Sequence, residues 1–300
     1  MVSINTRRQL ESISQFYARE GYYVAEGLVS GNEVEALCRE INALVRGEKG
    51  RVIGTEVLDP SIDLMQQVLA IHFPHKASDL MTAALSHPQI VEILDALIGP
   101  DVKCMQSMVF AKNAGKPGQA WHQDEYFIPT RDRSLCGVWI ALDDATIKNG
   151  CLWIHSGSQR EGILWPMKAH NDDRFDISHE AYNFPFDENA GQAVEVQAGS
   201  VVFFNGYTLH RSLNNTKSSG YRRALVNHYM NARSLLPWGI GGSARNDFRD
   251  IVMVSGVDPY ADKGIQDFNF PFIRAENPVQ SKEIYALTRK EFMHRSASAE

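Results

Sequence analysis

The sequence predicts an all-β core flanked by α-helices, and three observations predict it. From about residue 102 the chain falls into short apolar or alternating segments bounded by turn residues. Before that point, apolar side chains recur at helical spacing. The strands follow one another closely, without crossover helices between them, which points to a sandwich or closed barrel and not to a parallel sheet.

Taken in order, Leu10, Ile13, Phe16 and Tyr17 mark a first helix, and GYYVAEGLV follows as a short strand. Ser30-Gly31-Asn32-Glu33 matches a capping box and opens a second helix, with Val34, Leu37, Ile41 and Leu44 on one face. Residues 77–98 give one or two more around His87-Pro88, with Ile90, Ile93, Leu94 and Leu97 as the core stripe and His87 as a turn residue. Residues 1–100 are therefore a mainly helical flank.

The core spans 102–233. Its strands are VKCMQSMVFAKN, CGVWIALDDA, CLWIHS, AVEVQAGSVVFFN and RRALVNHYMNA, and Asn149-Gly150 between the second and third signals a hairpin. Residues 156–192, polar and rich in Asp, His and aromatics, read as a long loop or lid, an uncommon feature that is usually functional or mobile. Residues 234–300 form a covering segment. In it LLPWGIGGSARNDFRD is a loop, since no strand leads into a phosphate-binding glycine pattern. A closing helix over 278–294 turns Ile284, Leu287 and Phe292 inward. With no repeat or linker, residues 1–300 read as a single domain.

Composition excludes several function classes. The 300 residues carry a net charge of −6 with the two signs interspersed, so a footprint for nucleic acid or an anionic membrane is missing. No apolar run is long enough for a membrane span, and the N-terminus lacks a signal-peptide core, so the expected location is cytoplasmic. Cys38, Cys104, Cys136 and Cys151 form no Cys-x-x-Cys pair and are expected to be reduced thiols, mostly buried.

Chemistry is first suggested by WHQDEYF, residues 121–127. On a strand, His122 and Asp124 share one face and could converge on a metal ion. A buried His–Asp hydrogen bond explains the pair equally well, and the composition produces such triplets by chance. The second one, His170-Asn171-Asp172, lies in a charged loop and reads as solvated. Further on, SVVFFNGYTLHRS brings an apolar strand to a turn and then to His210, and the next strand opens with Arg222 and Arg223. Two histidines and one carboxylate can occupy one face of an octahedral ion and leave the other face open, as in non-haem Fe(II) oxygenases. A structural zinc site would close its tetrahedron, usually with thiolates.

WHQD, NGCLWI-x-x-GS, GSVVFFNGYTLHRS-x-x-N and GYRRA, in this order and spacing, resemble the phytanoyl-CoA dioxygenase family of Fe(II)/2-oxoglutarate oxygenases. The resemblance extends over nearly the whole chain and implies a double-stranded β-helix, a jelly-roll or cupin-like barrel, flanked by helices. It implies His122, Asp124 and His210 as iron ligands and Arg222 as the clamp on the distal carboxylate of 2-oxoglutarate, with Arg223 as its competitor. A guanidinium suits that role because it offers two parallel donors and stays charged. Ser212, Trp139 and Gln106 are further candidates for the co-substrate site. Lys112, Tyr126, Phe127 and Arg131 are candidates for the substrate pocket, with Arg133, Trp165 and Arg174 around its mouth. His155 stands where the family commonly has Pro-Gly-Ser-His, as a loop residue near the mouth.

The implied cofactors are Fe(II), 2-oxoglutarate and O2. The implied reaction hydroxylates a C–H bond of a small or mid-sized organic molecule, with release of succinate and CO2. Related halogenases lack the carboxylate, so Asp124 points to hydroxylation. Two other classes remain open on the same barrel: a non-oxidative metal enzyme, needing neither 2-oxoglutarate nor Arg222, and a binding protein without turnover.

Overall fold

A computed structural model of the chain describes residues 6–176, 179–235, 251–265 and 269–298. In chain order the elements are α1 (Arg7–Glu20), β1 (Tyr22–Ala25), α2 (Gly31–Val45), β2 (Val68–His72), α3 (Asp79–Leu85), α4 (Pro88–Ile98), β3 (Val102–Asn113) and β4 (Gln119–His122). There follow α5 (Asp124–Phe127), β5 (Cys136–Ala141), β6 (Leu152–Ile154), β7 (Met167–Ala169), β8 (His179–Ala181), β9 (Gln192–Val194) and β10 (Val201–Asn205). The chain ends with β11 (His210–Ser212), β12 (Tyr221–Asn231), β13 (Val252–Ser255), β14 (Phe272–Ala275) and α6 (Pro278–Ser298).

The strands form an all-antiparallel core. The large sheet runs β1-β10-β5-β12-β3-β2-β14, with β13 also on β3; a second sheet runs β4-β11-β6-β9, and β7-β8 is a small ribbon. Alternation along the central strands gives the large sheet two apolar faces. Val138, Ile140, Val201, Phe203, Leu225 and Tyr229 point outward to α1, α2 and α4 and join Leu37, Ile41, Leu44, Ile90 and Leu94. The intervening Trp139, Ala141, Val202, Phe204, Ala224 and Val226 point inward and meet Leu152, Ile154 and Val194 of the second sheet. Each fully buried Ile or Leu in these layers contributes about 1.5–3 kcal/mol.

Local signals act as expected at the helix starts. Ser30 and Glu33 cap each other at the head of α2, and His87 precedes Pro88 at the start of α4. All four cysteines are free, three of them buried.

Three expectations change. Asn149-Gly150 does not close a hairpin, because β5 already pairs with β10 and β12 while β6 pairs with β11 and β9. The dipeptide instead carries the chain from one sheet to the other: Asn149 caps a short turn through Thr146, and Gly150 takes φ +81° in the left-handed region open to glycine. The lid 156–192 is less irregular than its composition suggests, since it holds the β7–β8 ribbon and the start of β9. Ile284 of the closing helix is buried and Leu287 packs against the core, but Phe292 is exposed. The glycine-rich stretch 236–250 lies outside the described residues.

Candidate active site

Facing strands of the second sheet bring the two histidines together, with His122 on β4 directly opposite His210 on β11. Gly118 permits that approach, because a Cβ there would stand 1.8 Å from the Ser212 carbonyl oxygen. Asp124 arrives differently from the expected strand geometry. β4 ends at His122, Gln123 stays extended, and Asp124 opens the one-turn helix α5. The turn, and not strand alternation, swings the carboxylate back to the imidazoles.

Both rings are fixed in the same tautomer. Nδ1–H of His122 donates to the Ala120 carbonyl at 2.7 Å, and Nδ1–H of His210 donates to that of Thr208 at 2.9 Å. Each Nε2 is thereby left with its lone pair facing inward. Each stands 3.7 Å from the same atom, Asp124 Oδ1. The three ligand atoms lie within 4.8 Å of one another, the separation a single ion can bridge. Burial, with His210 as a neighbour, pushes His122 down to about 4, so its ring is neutral near pH 7. For Asp124, burial acts upward, but the imidazoles of His210, His228 and His122 outweigh it and keep the carboxylate ionised. Two imidazole nitrogens and one anionic oxygen, with no thiolate nearby, suit a divalent non-haem iron.

A second polar group occupies another part of the same cavity. Arg222 on β12 lies in register with Lys112 on β3. The Arg222 guanidinium is buried 5.5 Å from the centre of the Trp139 ring, and its Nε has no partner. Burial lowers Arg222 only to about 10, so it remains a cation. The Lys112 ammonium donates to Ser212 Oγ at 3.0 Å and to the Leu213 carbonyl. Burial, and then the Arg222 charge, hold Lys112 well below the usual lysine range. Arg223 faces the other way, in a two-pronged pair with Asp143 at 2.7 and 2.8 Å. This division follows strand alternation, since Arg222 shares the inward face with Ala224 and Val226.

His122, Asp124, His210, Arg222, Ser212, Trp139, Gln106, Lys112 and Phe127 all line one cavity of about 260 Å3. Two of them lie differently from the grouping expected of them, which set Gln106 at the co-substrate end and Lys112 in the substrate pocket. Lys112 stands with Arg222 and Ser212, whereas Gln106 lies further along β3, opposite His228. Register between β3 and β12 decides this, and one strand's sequence does not reveal it. Tyr126 and Arg131 are exposed and do not line the cavity; Tyr126 packs edge-on against Phe127, and the Arg131 backbone bonds to Leu235. Arg133, Trp165 and Arg174 also stay outside the lining. His155 is stacked between Trp121 and Phe186, and Asp172 of the second triplet pairs with Arg174.

Three contributors were not read from the sequence. His228 reaches Asp124 Oδ2 with its Nε2 at 3.1 Å. Its even spacing from Arg222 on a strand was the available signal. His72 of β2 lines the wall, burial pushing it down to about 3. Asp176 of the lid pairs with Arg274 of β14 at 2.6 Å, while its N–H donates to the Gly118 carbonyl. That pair ties the lid to the sheet edge beside the cavity, and no local pattern announces it.

The sequence model described as phytanoyl-CoA dioxygenase (PhyH) matches residues 17–224. The peroxisomal phytanoyl-CoA dioxygenase of Rattus norvegicus is 24% identical over 278 residues, covering 85% of this chain and 78% of that protein. The phytanoyl-CoA dioxygenase of Arabidopsis thaliana is 35% identical over 116 residues, which cover 38% of this chain and 40% of the plant protein. Among solved structures, the non-heme monooxygenase ThoJ in its apo form has a TM-score of 0.66 at 19% identity, covering 94% of this chain and 96% of its own. The epimerase SnoN, solved with Fe3+, alpha ketoglutarate and nogalamycin RO, has a TM-score of 0.61 at 20% identity, covering 84% of this chain and 97% of its own.

Proposed function

The chain belongs to the phytanoyl-CoA dioxygenase family, and we propose that it works as an Fe(II)- and 2-oxoglutarate-dependent dioxygenase through the cavity described above. His122, Asp124 and His210 hold the metal. Arg222, with Lys112 and Ser212 beside it, takes the distal carboxylate of 2-oxoglutarate, and Trp139 forms the adjoining wall. The observation that carries this reading is the pairing of two imidazoles locked with Nε2 toward one carboxylate oxygen and a buried, uncommitted guanidinium in the same cavity.

When bound, iron and 2-oxoglutarate supply the oxidising chemistry, in which one oxygen atom of O2 enters succinate and the other becomes the hydroxyl of the product. The protein contributes binding, orientation and exclusion of water. Carbonyl bonds to Nδ1 fix the two imidazoles. The buried Arg222 cation orients the co-substrate's far end, where low polarity strengthens a charge-assisted bond, and Lys112 and Ser212 add polar groups beside it. The lid, fixed through Asp176 and Arg274, covers the cavity edge.

The substrate proposed is a small or mid-sized organic molecule. Leu69, Met108, Phe127 and Ile128 give the wall its apolar part, and His72 and the Asp176–Arg274 pair give it a polar part. For location we propose the cytoplasm, a reducing compartment that suits four unpaired cysteines. The name of the rat relative places that protein in the peroxisome. No helix among the described residues is long and apolar enough to cross a membrane.

Succinate formation from 2-oxoglutarate, followed with and without each screened substrate, tests the activity. The expected result is succinate release that requires both Fe(II) and O2 and stops with a chelator. A metal-dependent reaction on a screened substrate that proceeds without 2-oxoglutarate or O2 would instead favour non-oxidative chemistry.

A further inference from the structure

His228 touches the carboxylate of the metal trio from the side away from the two imidazoles. Asp124 Oδ1 faces His122 and His210, and Asp124 Oδ2 meets His228 Nε2 at 3.1 Å. A carboxylate oxygen only accepts, so Nε2–H of His228 is the donor. The ring is buried, and its Nδ1 has no partner. It is therefore committed to Asp124 alone.

The backbone is shaped for that contact. His228 shares the inward face of β12 with Arg222, so one rigid strand serves both the metal end and the co-substrate end of the cavity. The β12–β3 ladder shifts register between His228 and Tyr229: His228 opposes Gln106, while Tyr229 opposes Cys104. A bulge at this point re-aims side chains, and such bulges occur often beside active sites. Beyond it, Tyr229 is buried in the outer core and bonds the Leu85 carbonyl at 3.0 Å.

We infer that His228 is a positioning residue that holds Asp124 Oδ2 away from the metal, so that Asp124 binds through Oδ1 only. This rests on the metal site proposed above. A carboxylate free to rotate can chelate through both oxygens and would occupy a position that 2-oxoglutarate or O2 requires. Outer partners of metal ligands change metal affinity or activity by about 10–100-fold when removed.

The test uses the full chain with His228→Leu, which removes the donor, and His228→Gln, whose amide can replace it. Each is titrated anaerobically with Fe(II) and then 2-oxoglutarate, following the affinity for each and the visible charge-transfer band. Melting of each apo-protein checks the fold. Because Asp124 would then compete for a co-substrate position, His228→Leu loaded with Fe(II) is expected to need at least about 10-fold more 2-oxoglutarate and to give a displaced or lost band, and His228→Gln to stay within a few-fold of wild type. A folded His228→Leu with wild-type 2-oxoglutarate affinity and band would overturn the inference. So would a His228→Gln as impaired as the leucine variant. If His228→Leu does not fold, His228→Met takes its place with the same criteria. A wild-type protein that binds no Fe(II) would strike at the metal site itself, a separate outcome.

Discussion

Replacing Asp124 with alanine is expected to lower 2-oxoglutarate turnover by more than about 100-fold, since even an outer partner of a metal ligand is worth 10–100-fold. The two imidazoles would remain fixed by their backbone bonds, but the site would lose its anionic donor and the atom both rings face. The fold should persist, because α5 is a single turn at the cavity wall and the apolar layers do not include Asp124. Equilibrium Fe(II) binding and succinate release on the same preparation check this. Wild-type turnover in a folded Asp124→Ala protein would remove Asp124 from the metal.

The second large effect separates two adjacent arginines. Arg222→Ala removes a buried cation from the proposed co-substrate clamp. Truncating one partner of a buried, hydrogen-bonded charge pair costs about 2–5 kcal/mol, so the KM for 2-oxoglutarate should rise at least about 30-fold. Lys112 beside it does not substitute, since its ammonium is already bonded to Ser212 and the Leu213 carbonyl, and burial disfavours its charge. Arg223→Ala should leave that KM unchanged, because this side chain belongs to the outward pair with Asp143. Steady-state kinetics of the two variants read the difference directly. The reverse pattern would assign the clamp to Arg223.

The parts of the fold that could be read in advance were those whose local pattern coincides with their environment. β3, β5 and β12 are central strands with apolar faces on both sides, so their limits stand out in the sequence. β2 and β14 do not stand out: each is short and belongs to the sheet only through partners distant in the chain. Asn149-Gly150 has hairpin chemistry, but a tertiary fact, the full pairing of β5 on both edges, sends the chain to the other sheet.

The site was legible to a similar depth. Residue type and order pointed to His122, Asp124 and His210, and the family resemblance implied Arg222, whereas the means of bringing them together was hidden. Asp124 converges through a helical turn, and Lys112 meets Arg222 through the register of two strands. Arg274 and Asp176 meet across the cavity edge from segments with no shared motif. His228 was within reach, since alternation from Arg222 places it on the inner face, but a histidine in an apolar strand is more often simply packed.

Anaerobic addition of 2-oxoglutarate to the Fe(II)-loaded protein tests the central claim most directly, because it reads metal and co-substrate in one complex without any need for the substrate. A visible metal-to-ligand charge-transfer band that grows to saturation with 2-oxoglutarate, and that is absent in His210→Ala, is the predicted result. A folded protein that binds Fe(II) and develops no band would contradict the oxygenase reading and leave metal-dependent, non-oxidative chemistry as the function of this cavity.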